Sequence, residues 1–518
     1  MTILPPLIQQ MLQPTFYPHA VVEPIRVLQT HISFVLLTGE YVYKLKKTVD
    51  FGFLDYSSLE KRRHFCQQEL QMNQRGASEI YLEVLPISQQ GETFELGSSR
   101  NIVEYTLKMR QFPQENLWTS LFDRGELSVS HLEELGRRLA QFHAQAPTDD
   151  YIQSFGRVDR IEEAIDGNYQ ATKKYIGKIQ TQDRFDRTKA YTDRFFEENR
   201  PLFDRRIETG KIRACHGDLH LKNIAQWNEK IILFDCIEFN ESFRLVDVMY
   251  DVAFVIMDLD ARDRRDLANI FLNTYVEETG DWEGLQVLPL YLCRQAYVRA
   301  KVTSFLLDDP GIGDEEKQQA SQSAQHYYQL AWEYTQPRQG QLIIMSGLSG
   351  SGKSTVARWV ARHLGAIQIR SDAVRKHLAN IPLHQRGEEA IYSEKMTEKT
   401  YHRVLELGGM LATGGWSVIL DAKFDRTVWR KKAIELATAE NLPLRILHCQ
   451  APFRVMQERL KQRTGDIADA TPNLLETQLA EVELLDEFEQ NYTIAVDTTQ
   501  PLAAQLESLL SCAPKSKI

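Results

Sequence analysis

The feature that most constrains the fold is a glycine-rich loop at residues 347–354, which has the sequence Gly-Leu-Ser-Gly-Ser-Gly-Lys-Ser. An apolar run at residues 341–346 precedes this loop, and a segment of helical periodicity at residues 353–364 follows it. A strand, a glycine-rich turn and a helix in this order direct several backbone N–H groups at one point, where they bind phosphate. The sequence therefore predicts the first βα unit of an α/β domain that binds a nucleotide.

Within this loop, we expect Lys353 to contact the β- and γ-phosphates of ATP. The hydroxyl of Ser354, or that of Thr355 in its place, is expected to bind Mg²⁺. A purely structural Gly/Ser turn is the alternative. The predicted nucleotide-binding residues are Gly347, Leu348, Ser349, Gly350, Ser351, Gly352, Lys353, Ser354 and Thr355.

Charged residues at the ends of the next strands predict an acceptor site beside this loop. Asp372 could accept the proton of an acceptor hydroxyl, and Arg375 could neutralise substrate charge. The alternative is an N-cap aspartate beside a solvated arginine. Asp421 ends the apolar run 416–420 and is a candidate metal ligand through water, with a capping role as the alternative.

Further basic residues could neutralise charge on the phosphoryl group or on the acceptor. Arg459 and Arg463 are spaced by one helical turn and precede an acidic stretch, which suggests a lid over the nucleotide. A solvated basic face is the alternative. Arg375 and Arg430 are predicted to bind the acceptor.

A second motif, at residues 216–223, has the spacing His-x-Asp-x-x-x-x-Asn, and a short apolar run that ends at Asp235 follows it. In this pattern Asp218 orients the acceptor hydroxyl and takes its proton, while Asn223 and Asp235 bind Mg²⁺. His216 is expected to orient the loop rather than to take part in the chemistry. A buried polar turn is the alternative. The chain therefore carries a second candidate site for phosphoryl transfer.

This second site needs a lysine that binds phosphate. Residues 32–37 and 41–46, separated by Thr-Gly-Glu, predict a β-hairpin, and Lys44 and Lys46 share one face of its second strand. We favour Lys44, with Lys46 as the alternative. Glu69, in the predicted helix that follows, is its expected partner, and a surface position for Glu69 is the alternative.

These residues give the N-terminal region a resemblance to the aminoglycoside phosphotransferase-like branch of the protein-kinase-like folds. The motif of that branch is matched position by position at His216, Asp218, Asn223 and Asp235. The resemblance implies that Asp247 and Asp251 buttress the site, although both could instead cap the following helix. Residues 37–40 contain one glycine, so a conventional protein-kinase glycine-rich loop is absent, which disfavours protein substrates.

The C-terminal region, from about residue 340 to 510, resembles the small P-loop kinases that include gluconate kinase, polynucleotide kinase and zeta-toxin-like enzymes. The resemblance depends on the phosphate loop, on the Asp-x-x-Arg pattern of Asp372 and Arg375, and on the candidate lid arginines. It implies an ATP site and leaves the acceptor open. The order of the two regions resembles a widespread bacterial fusion that is usually described only as a predicted kinase.

The polar stretch at residues 333–341 predicts a domain boundary. We expect an N-terminal α+β domain of bilobal protein-kinase-like fold at residues 1–336. Its strand-rich small lobe spans about 18–112 and its helical lobe about 113–332. A linker at 337–341 leads to an α/β P-loop domain at 342–518, where alternating apolar runs and periodic helices predict a parallel sheet covered on both faces.

Composition bounds the partners and the location. The formal net charge of -10 disfavours general nucleic-acid binding, and no apolar run approaches the roughly 18 residues that span a bilayer. The 6 cysteines are scattered without metal spacing, which is typical of reduced thiols and predicts a cytoplasmic location.

Together these features predict a bifunctional ATP-dependent phosphotransferase that acts on hydroxyl groups of small molecules, with one Mg·ATP site in each domain. One alternative makes one domain a nucleotide-binding regulator or scaffold of the other. Another has the P-loop domain phosphorylate a nucleic-acid end or a nucleotide sugar. A cluster of basic residues that includes Arg426 and Arg430 leaves this last alternative open.

Overall fold

The structure is a computed structural model that describes residues 4–52 and 54–507. The chain divides into two compact units, each formed by several stretches of sequence. The first unit comprises residues Met1–Leu127, Gln141–Glu163 and Asn199–Val255, and the second comprises Ser128–Ala140, Ala164–Glu198 and Ile256–Ile518. In the described part of the chain, no helix is both long enough and apolar enough to cross a membrane.

The strands fall into an N-terminal group and a C-terminal group. They are β1 (Arg26–Gln29), β2 (Ser33–Leu37), β3 (Tyr41–Lys46), β4 (Tyr81–Gln90), β5 (Thr93–Leu96), β6 (Ile102–Arg110), β7 (Ile212–Ala214), β8 (Ile224–Trp227), β9 (Lys230–Leu233), β10 (Leu245–Asp247), β11 (Gln341–Ser346), β12 (Ile367–Arg370), β13 (Ser417–Asp421), β14 (Leu444–Gln450) and β15 (Thr493–Asp497).

The α-helices are distributed along the whole described chain. They are α1 (Pro6–Gln10), α2 (Leu59–Ala77), α3 (Trp118–Asp123), α4 (Val129–Gln145), α5 (Asp150–Gln153), α6 (Val158–Thr172), α7 (Gln182–Glu208), α8 (Glu241–Arg244), α9 (Val248–Asp260), α10 (Arg265–Thr279), α11 (Leu288–Phe305), α12 (Asp314–Tyr334), α13 (Lys353–Leu364), α14 (Ser371–Leu378), α15 (Glu394–Thr413), α16 (Thr427–Ala439), α17 (Phe453–Gln462), α18 (Leu474–Glu481), α19 (Glu487–Gln490) and α20 (Leu502–Gln505).

The first unit contains a six-stranded antiparallel sheet of order β1-β2-β3-β6-β4-β5. The predicted hairpin is confirmed, because β2 and β3 pair antiparallel across the turn that contains Gly39. Gly39 has a φ of 106°, and a Cβ there would lie 2.5 Å from Val22 Cγ2, so the turn requires glycine. Helix α2 begins after Ser58, whose side chain accepts a hydrogen bond from Lys61 N. This helix presents Glu69 to the sheet.

Two short strand pairs flank the second motif. Strand β7, which precedes His216, pairs with β10, and β8 pairs with β9 just before Asp235. The two motif segments are joined directly, because Phe234 N donates to Asn223 O (3.1 Å) and Ile237 N donates to His216 O (3.1 Å). These bonds hold the second motif beside the segment that carries Asp235.

The C-terminal region confirms the predicted α/β fold. Its five strands all pair in parallel in the order β12-β13-β11-β14-β15. The observed bounds of β11 and α13 coincide with the runs that the sequence predicts around the phosphate loop. The core of this region consists of buried apolar side chains from the sheet and from α13, including Ile343, Val356, Val360, Ile419 and Leu447. Strand β12 forms one edge of the sheet, and its last residue is Arg370.

Candidate active sites

Lys44 is the central cation of the N-terminal site. Its Nζ lies 2.7 Å from Glu69 Oε1 and 2.8 Å from Asp235 Oδ1. The Lys44 side chain is 17% exposed, whereas that of Glu69 is 1% exposed. The structure therefore brings together three residues that are far apart in sequence, and it leaves the ammonium of Lys44 partly open to a ligand.

Lys46 occupies a different, fully enclosed environment. Its Nζ lies 2.7 Å from Glu69 Oε2, and it also forms an ion pair with Glu238. Tyr56 donates its hydroxyl to Glu238 (2.7 Å). Burial and the Glu69 carboxylate raise the pKa of Glu238, although Lys46 opposes this effect. The Lys46 side chain is only 2% exposed, so this lysine is placed to hold Glu69 rather than to meet a phosphate.

Glu238 and Tyr56 were missed by the sequence analysis. Nothing in the spacing of the motifs identifies a carboxylate three residues after Asp235 as a partner of Lys46. The one available signal is that a second lysine on the same strand face needs a second buried negative charge, since burial of an unpaired ammonium is costly.

Asp251 supports the backbone of the second motif, at residues 216–223. Its two carboxylate oxygens accept hydrogen bonds from His216 N (2.7 Å) and Gly217 N (2.8 Å), and His143 Nε2 lies 3.1 Å away. A Cβ at Gly217 would lie 2.6 Å from Phe243 O, so the loop requires glycine at this point. These contacts correspond to the buttress that the resemblance implies.

Asp247 caps the start of α9, which is one of the two roles that the sequence left open. It forms an ion pair with Arg206 (Nη2 to Oδ1, 2.6 Å) and accepts a hydrogen bond from Met249 N (2.9 Å) at the start of α9. Both Asp247 and Arg206 are buried. This pair therefore stabilises the helix that carries Asp251.

Asp218 and Asn223, the predicted base and one predicted metal ligand, lie on the loop that Asp251 supports, and Asp235 lies on the adjoining segment after β9. Asn223 Nδ2 donates to Asp218 O (2.9 Å) and lies 3.4 Å from Asp218 Oδ2. The amide nitrogen is used in these contacts, so the amide oxygen is the atom that suits a metal ion. The Asp218 and Asp235 side chains are 37% and 47% exposed. Oxygen donors beside a lysine that is held by a glutamate fit Mg²⁺ bound to a phosphate.

Histidines orient this loop. His216 Nε2 lies 2.9 Å from Phe234 O, which links the motif to the segment of Asp235. His220 Nε2 lies 3.4 Å from Asp218 Oδ2 and was missed by the sequence analysis, because its position in the motif is not restricted by spacing. His216 therefore has the orienting position that the sequence predicts for it.

The phosphate loop has three glycines in backbone conformations that other residues rarely adopt. Gly347, Gly350 and Gly352 have φ values of 135°, 77° and 92°, and a Cβ at Gly347 would lie 2.4 Å from Cys449 O. Ser349 N donates to the amide oxygen of Gln478 (3.1 Å), so this N–H already binds an oxygen from outside the loop. The buried hydroxyl of Ser351 has no hydrogen-bond partner among the described residues. These features fit a bound phosphate.

Lys353 begins α13 and turns back over the loop. Its Nζ donates to Leu348 O (2.8 Å), and its loss of solvent lowers its pKa, although Asp421 opposes this effect. Ser354 and Thr355 follow in the first turn of the helix. Asp421, at the end of β13, is buried and accepts a hydrogen bond from Gln368 Nε2 (2.8 Å).

The predicted acceptor side chains differ in their availability. Asp372 lies in the first turn of α14 and is half-buried, and the surrounding protein raises its pKa through loss of solvent. Arg375 is buried, donates to Ile391 O (2.8 Å), and has its guanidinium 5.2 Å from the centre of the Tyr392 ring. Asp372 is therefore the better placed of the two to meet an acceptor.

Among the described residues, Arg430 contacts Glu489 and other groups outside the phosphate loop. It is 1% exposed and binds Glu489 through Nε (2.9 Å) and Nη2 (3.1 Å). It also donates to Phe424 O (3.1 Å). These contacts assign Arg430 a role in the packing of α16, rather than the substrate role that the sequence suggested.

Arg459 lies beside the phosphate loop. Its Nη1 donates to Thr498 Oγ1 (2.8 Å) and lies 3.4 Å from Gly350 O. Arg463 immediately follows the last residue of α17. The acidic stretch after Arg463 contacts the segment around Asp372. Asp466 binds Arg370 (2.6 Å), and Asp469 accepts a hydrogen bond from Gly387 N (2.9 Å). The sequence analysis missed these carboxylates as partners.

Two family models match separate segments of the chain. Residues 98–288 match the family model described as "Phosphotransferase enzyme family", and residues 342–485 match the model described as "AAA domain". An uncharacterized protein of Mycobacterium tuberculosis is 29% identical over 454 residues, which are 87% of this chain and 88% of that protein. A shikimate kinase of Geobacter sulfurreducens is 33% identical over 135 residues, 25% of this chain and 66% of that enzyme.

Solved structures resemble one region or the other. A gluconokinase from Sinorhizobium meliloti is 26% identical, with a TM-score of 0.25, and the match covers 34% of this chain and 92% of the gluconokinase. An amicoumacin kinase is 12% identical, with a TM-score of 0.37, over 62% of this chain and 92% of that kinase. The chain is an ATP-dependent kinase, in which residues 98–288 are similar to the phosphotransferase enzyme family and residues 342–485 are similar to the AAA-domain family.

Proposed function

We propose that the two regions are separate phosphotransferases, each of which transfers a phosphoryl group from Mg·ATP to a hydroxyl of a small molecule. The observation that carries this proposal is the ion-paired triad of Lys44, Glu69 and Asp235. It supplies a phosphate-binding cation and a metal ligand in a region that shares no residue with the phosphate loop. We retain residues 1–336 and 342–518 as the proposed domains.

In the N-terminal site, Glu69 fixes the Lys44 ammonium where it can bind ATP phosphates. Asp218, held on the loop that Asp251 supports, orients the acceptor hydroxyl and receives its proton as the bond to phosphorus forms. Asn223 and Asp235 would hold Mg²⁺, which supplies charge neutralisation on the phosphates when it is bound. The protein therefore acts mainly by positioning and by electrostatic stabilisation.

In the P-loop site, the main chain does most of the phosphate binding. The loop N–H groups and Lys353 would bind the phosphates of ATP, while the hydroxyl of Ser354 and, through water, Asp421 would hold Mg²⁺. Asp372 accepts the proton of the acceptor hydroxyl. Arg459 contributes positive charge near the loop, where it can stabilise the transferring group.

We propose small hydroxylated molecules as acceptors for both sites, and a cytoplasmic location for the protein. The name of the Geobacter relative states that it is a kinase of shikimate, and a small acceptor of comparable kind suits the half-buried Asp372. The net charge of -10 argues against a polyanionic acceptor such as nucleic acid.

The test is a screen of a cell metabolite extract with labelled ATP and four full-length proteins. These are the unaltered chain, Asp218→Ala, Lys353→Ala and the control Lys230→Ala, whose side chain is 68% exposed. We expect at least two labelled products, one lost in Asp218→Ala and the other in Lys353→Ala, with both retained in the control. If every product persists in one of the two site variants, the corresponding region is a regulator or scaffold instead.

A further inference from the structure

Helix α10 lies along the edge of the P-loop sheet that β12 forms. Its side chains form hydrogen bonds with the backbone at this edge. Asn269 Nδ2 and Asn273 Nδ2 both donate to Ala366 O (2.9 and 3.0 Å), and Gln368 N donates to Asn273 Oδ1 (2.7 Å). The amide side chains therefore take hydrogen-bonding positions that a further strand would take beside β12. This protects an edge that would otherwise be open to pairing.

The same helix face continues to the carboxyl end of the strand, where the active site lies. Four helical residues rise about 6 Å, and two strand residues rise about 6.6 Å. Asn273 and Glu277 are four residues apart, while Gln368 and Arg370 are two apart, so the two pairs align. Glu277 Oε1 lies 3.4 Å from Arg370 Nη1 and completes this alignment.

Arg370 joins three carboxylates from three segments. Besides Glu277, its Nη2 contacts Asp466 (2.6 Å) in the stretch after α17, and its Nε lies 3.9 Å from Asp421 Oδ2. Arg370 is 8% exposed, and its Nε has no hydrogen-bond partner among the described residues. This buried guanidinium lies two residues before Asp372, and its unused donor faces Asp421.

Helix α10 also supports Asp421 through Gln368. Asn273 fixes the backbone of Gln368, and the side chain of Gln368 donates to Asp421 Oδ2 (2.8 Å). Asp421 therefore receives one contact supported by Asn273 and faces a guanidinium supported by Glu277. Residues 265–279 lie inside the segment matched to the phosphotransferase family, whereas β12 and β13 lie inside the P-loop match.

We propose that α10 is a positioning element of the P-loop kinase site. Within it, Glu277 is a positioning residue that acts through Arg370 on Asp421 and on the acceptor position beside Asp372. This inference rests on the proposed phosphotransfer at that site. It means that a helix of the phosphotransferase-family segment is required for turnover at the P-loop site.

The helix supplies its own matched control. Glu278, the next residue, has its Oε1 3.0 Å from Nε2 of His384, whose side chain is 58% exposed. Glu278→Gln removes a charge from the same helix and the same contact between α10 and the P-loop region. It leaves the contacts of Arg370 intact, so it reports any general effect of a lost carboxylate.

The experiment measures ADP release from Mg·ATP, with water as acceptor, in full-length protein that carries Asp218→Ala to silence the other site. We expect Glu277→Gln to lower kcat about tenfold, because a small displacement of a positioned group has a large kinetic effect. Nucleotide affinity, measured with a fluorescent ADP analogue, and the melting temperature should stay as in the parent. Glu278→Gln should behave like the parent.

A double-mutant cycle separates positioning from general structure. Once Arg370→Gln is present, adding Glu277→Gln should lower kcat by less than twofold. If Glu277→Gln lowers the melting temperature, Glu277→Asp, which keeps the charge on a shorter side chain, takes its place in the cycle. Parental kcat in the Glu277 variant, equal losses in the Glu277 and Glu278 variants, or independent losses in the cycle would overturn the inference. If the parent shows no ADP release that depends on Lys353, the proposed function of this site fails as well.

Discussion

The two phosphate sites differ in what they are made of. In the proposed P-loop site the groups that would bind phosphate are mainly backbone N–H groups within residues 347–354, and three glycines there adopt positive φ values. In the N-terminal site the corresponding groups are side chains, and Lys44, Glu69 and Asp235 come from widely separated parts of the sequence. A backbone cradle is specified locally, whereas a side-chain network depends on the tertiary fold.

This difference determines how each site should fail. A change of side chain in the network removes a charge and leaves its partners unpaired. A substitution in the phosphate loop acts instead through backbone conformation and close contacts, since residues other than proline keep the backbone N–H.

The two lysines of β3 give the sharpest contrast. We expect Lys44→Met to lower phosphoryl transfer by the N-terminal site about 10³-fold, because the phosphates lose their cation. Lys46→Met should mainly destabilise the protein, by about 3–5 kcal/mol, because it leaves Glu69 and Glu238 with less compensation. Transfer rates per folded molecule and chemical denaturation separate the two effects. Equal kinetic losses in both variants would contradict the assignment of Lys44.

Arg430 tests whether a predicted substrate residue is structural. Arg430→Met should lower the free energy of unfolding by about 3–5 kcal/mol, because Glu489 is left buried without its partner. The control is Arg454→Met, at a side chain that is 89% exposed and paired with Glu458 within α17. Denaturant unfolding gives the comparison. A variant of unchanged stability with a raised KM for the acceptor would restore the substrate role.

Gly347 tests the cradle. Gly347→Ala should weaken nucleotide binding and turnover at the P-loop site about 10²-fold, because the residue has a φ of 135° and its Cβ would meet Cys449 O. The N-terminal site should keep its activity. Gly167→Ala is the matched control, because a Cβ at that helical position meets nothing within 4 Å. Retained binding in Gly347→Ala would argue against a backbone cradle.

The pH dependence of the P-loop site should follow Asp372. Loss of solvent raises the pKa of this carboxyl, and a base acts only when it is deprotonated. Turnover in an Asp218→Ala background should therefore fall, as pH decreases, at a higher pH than for an exposed aspartate. Asp372→Asn should remove this acid limb together with most of the turnover. An acid limb that persists in Asp372→Asn belongs to another group.

The sequence predicted the fold more completely than it predicted the sites. The parallel strands and the helix after the phosphate loop follow from local apolar runs, and these predictions are confirmed. The pairing partners Glu238 of Lys46 and Asp466 of Arg370 were not predicted, because each contact joins segments that only the fold brings together.

Arg430 illustrates the opposite limit. A basic residue near an active-site region of the sequence suggests substrate binding, yet its guanidinium lies in a buried ion pair. The position of Glu489, nearly 60 residues later, decides its role, and no periodicity or spacing reveals that contact. The edge of β12 is similar, since its partner α10 precedes the predicted domain boundary.

The stoichiometry of nucleotide binding distinguishes a chain with two kinase sites from a chain with one. Titration of the full-length protein with a fluorescent ADP analogue and Mg²⁺ should saturate at two nucleotides per chain. Lys353→Ala and Lys44→Met should each leave one, and the protein with both changes should bind none. Saturation of the unaltered chain at a single nucleotide that Lys353→Ala abolishes would contradict two independent kinase sites.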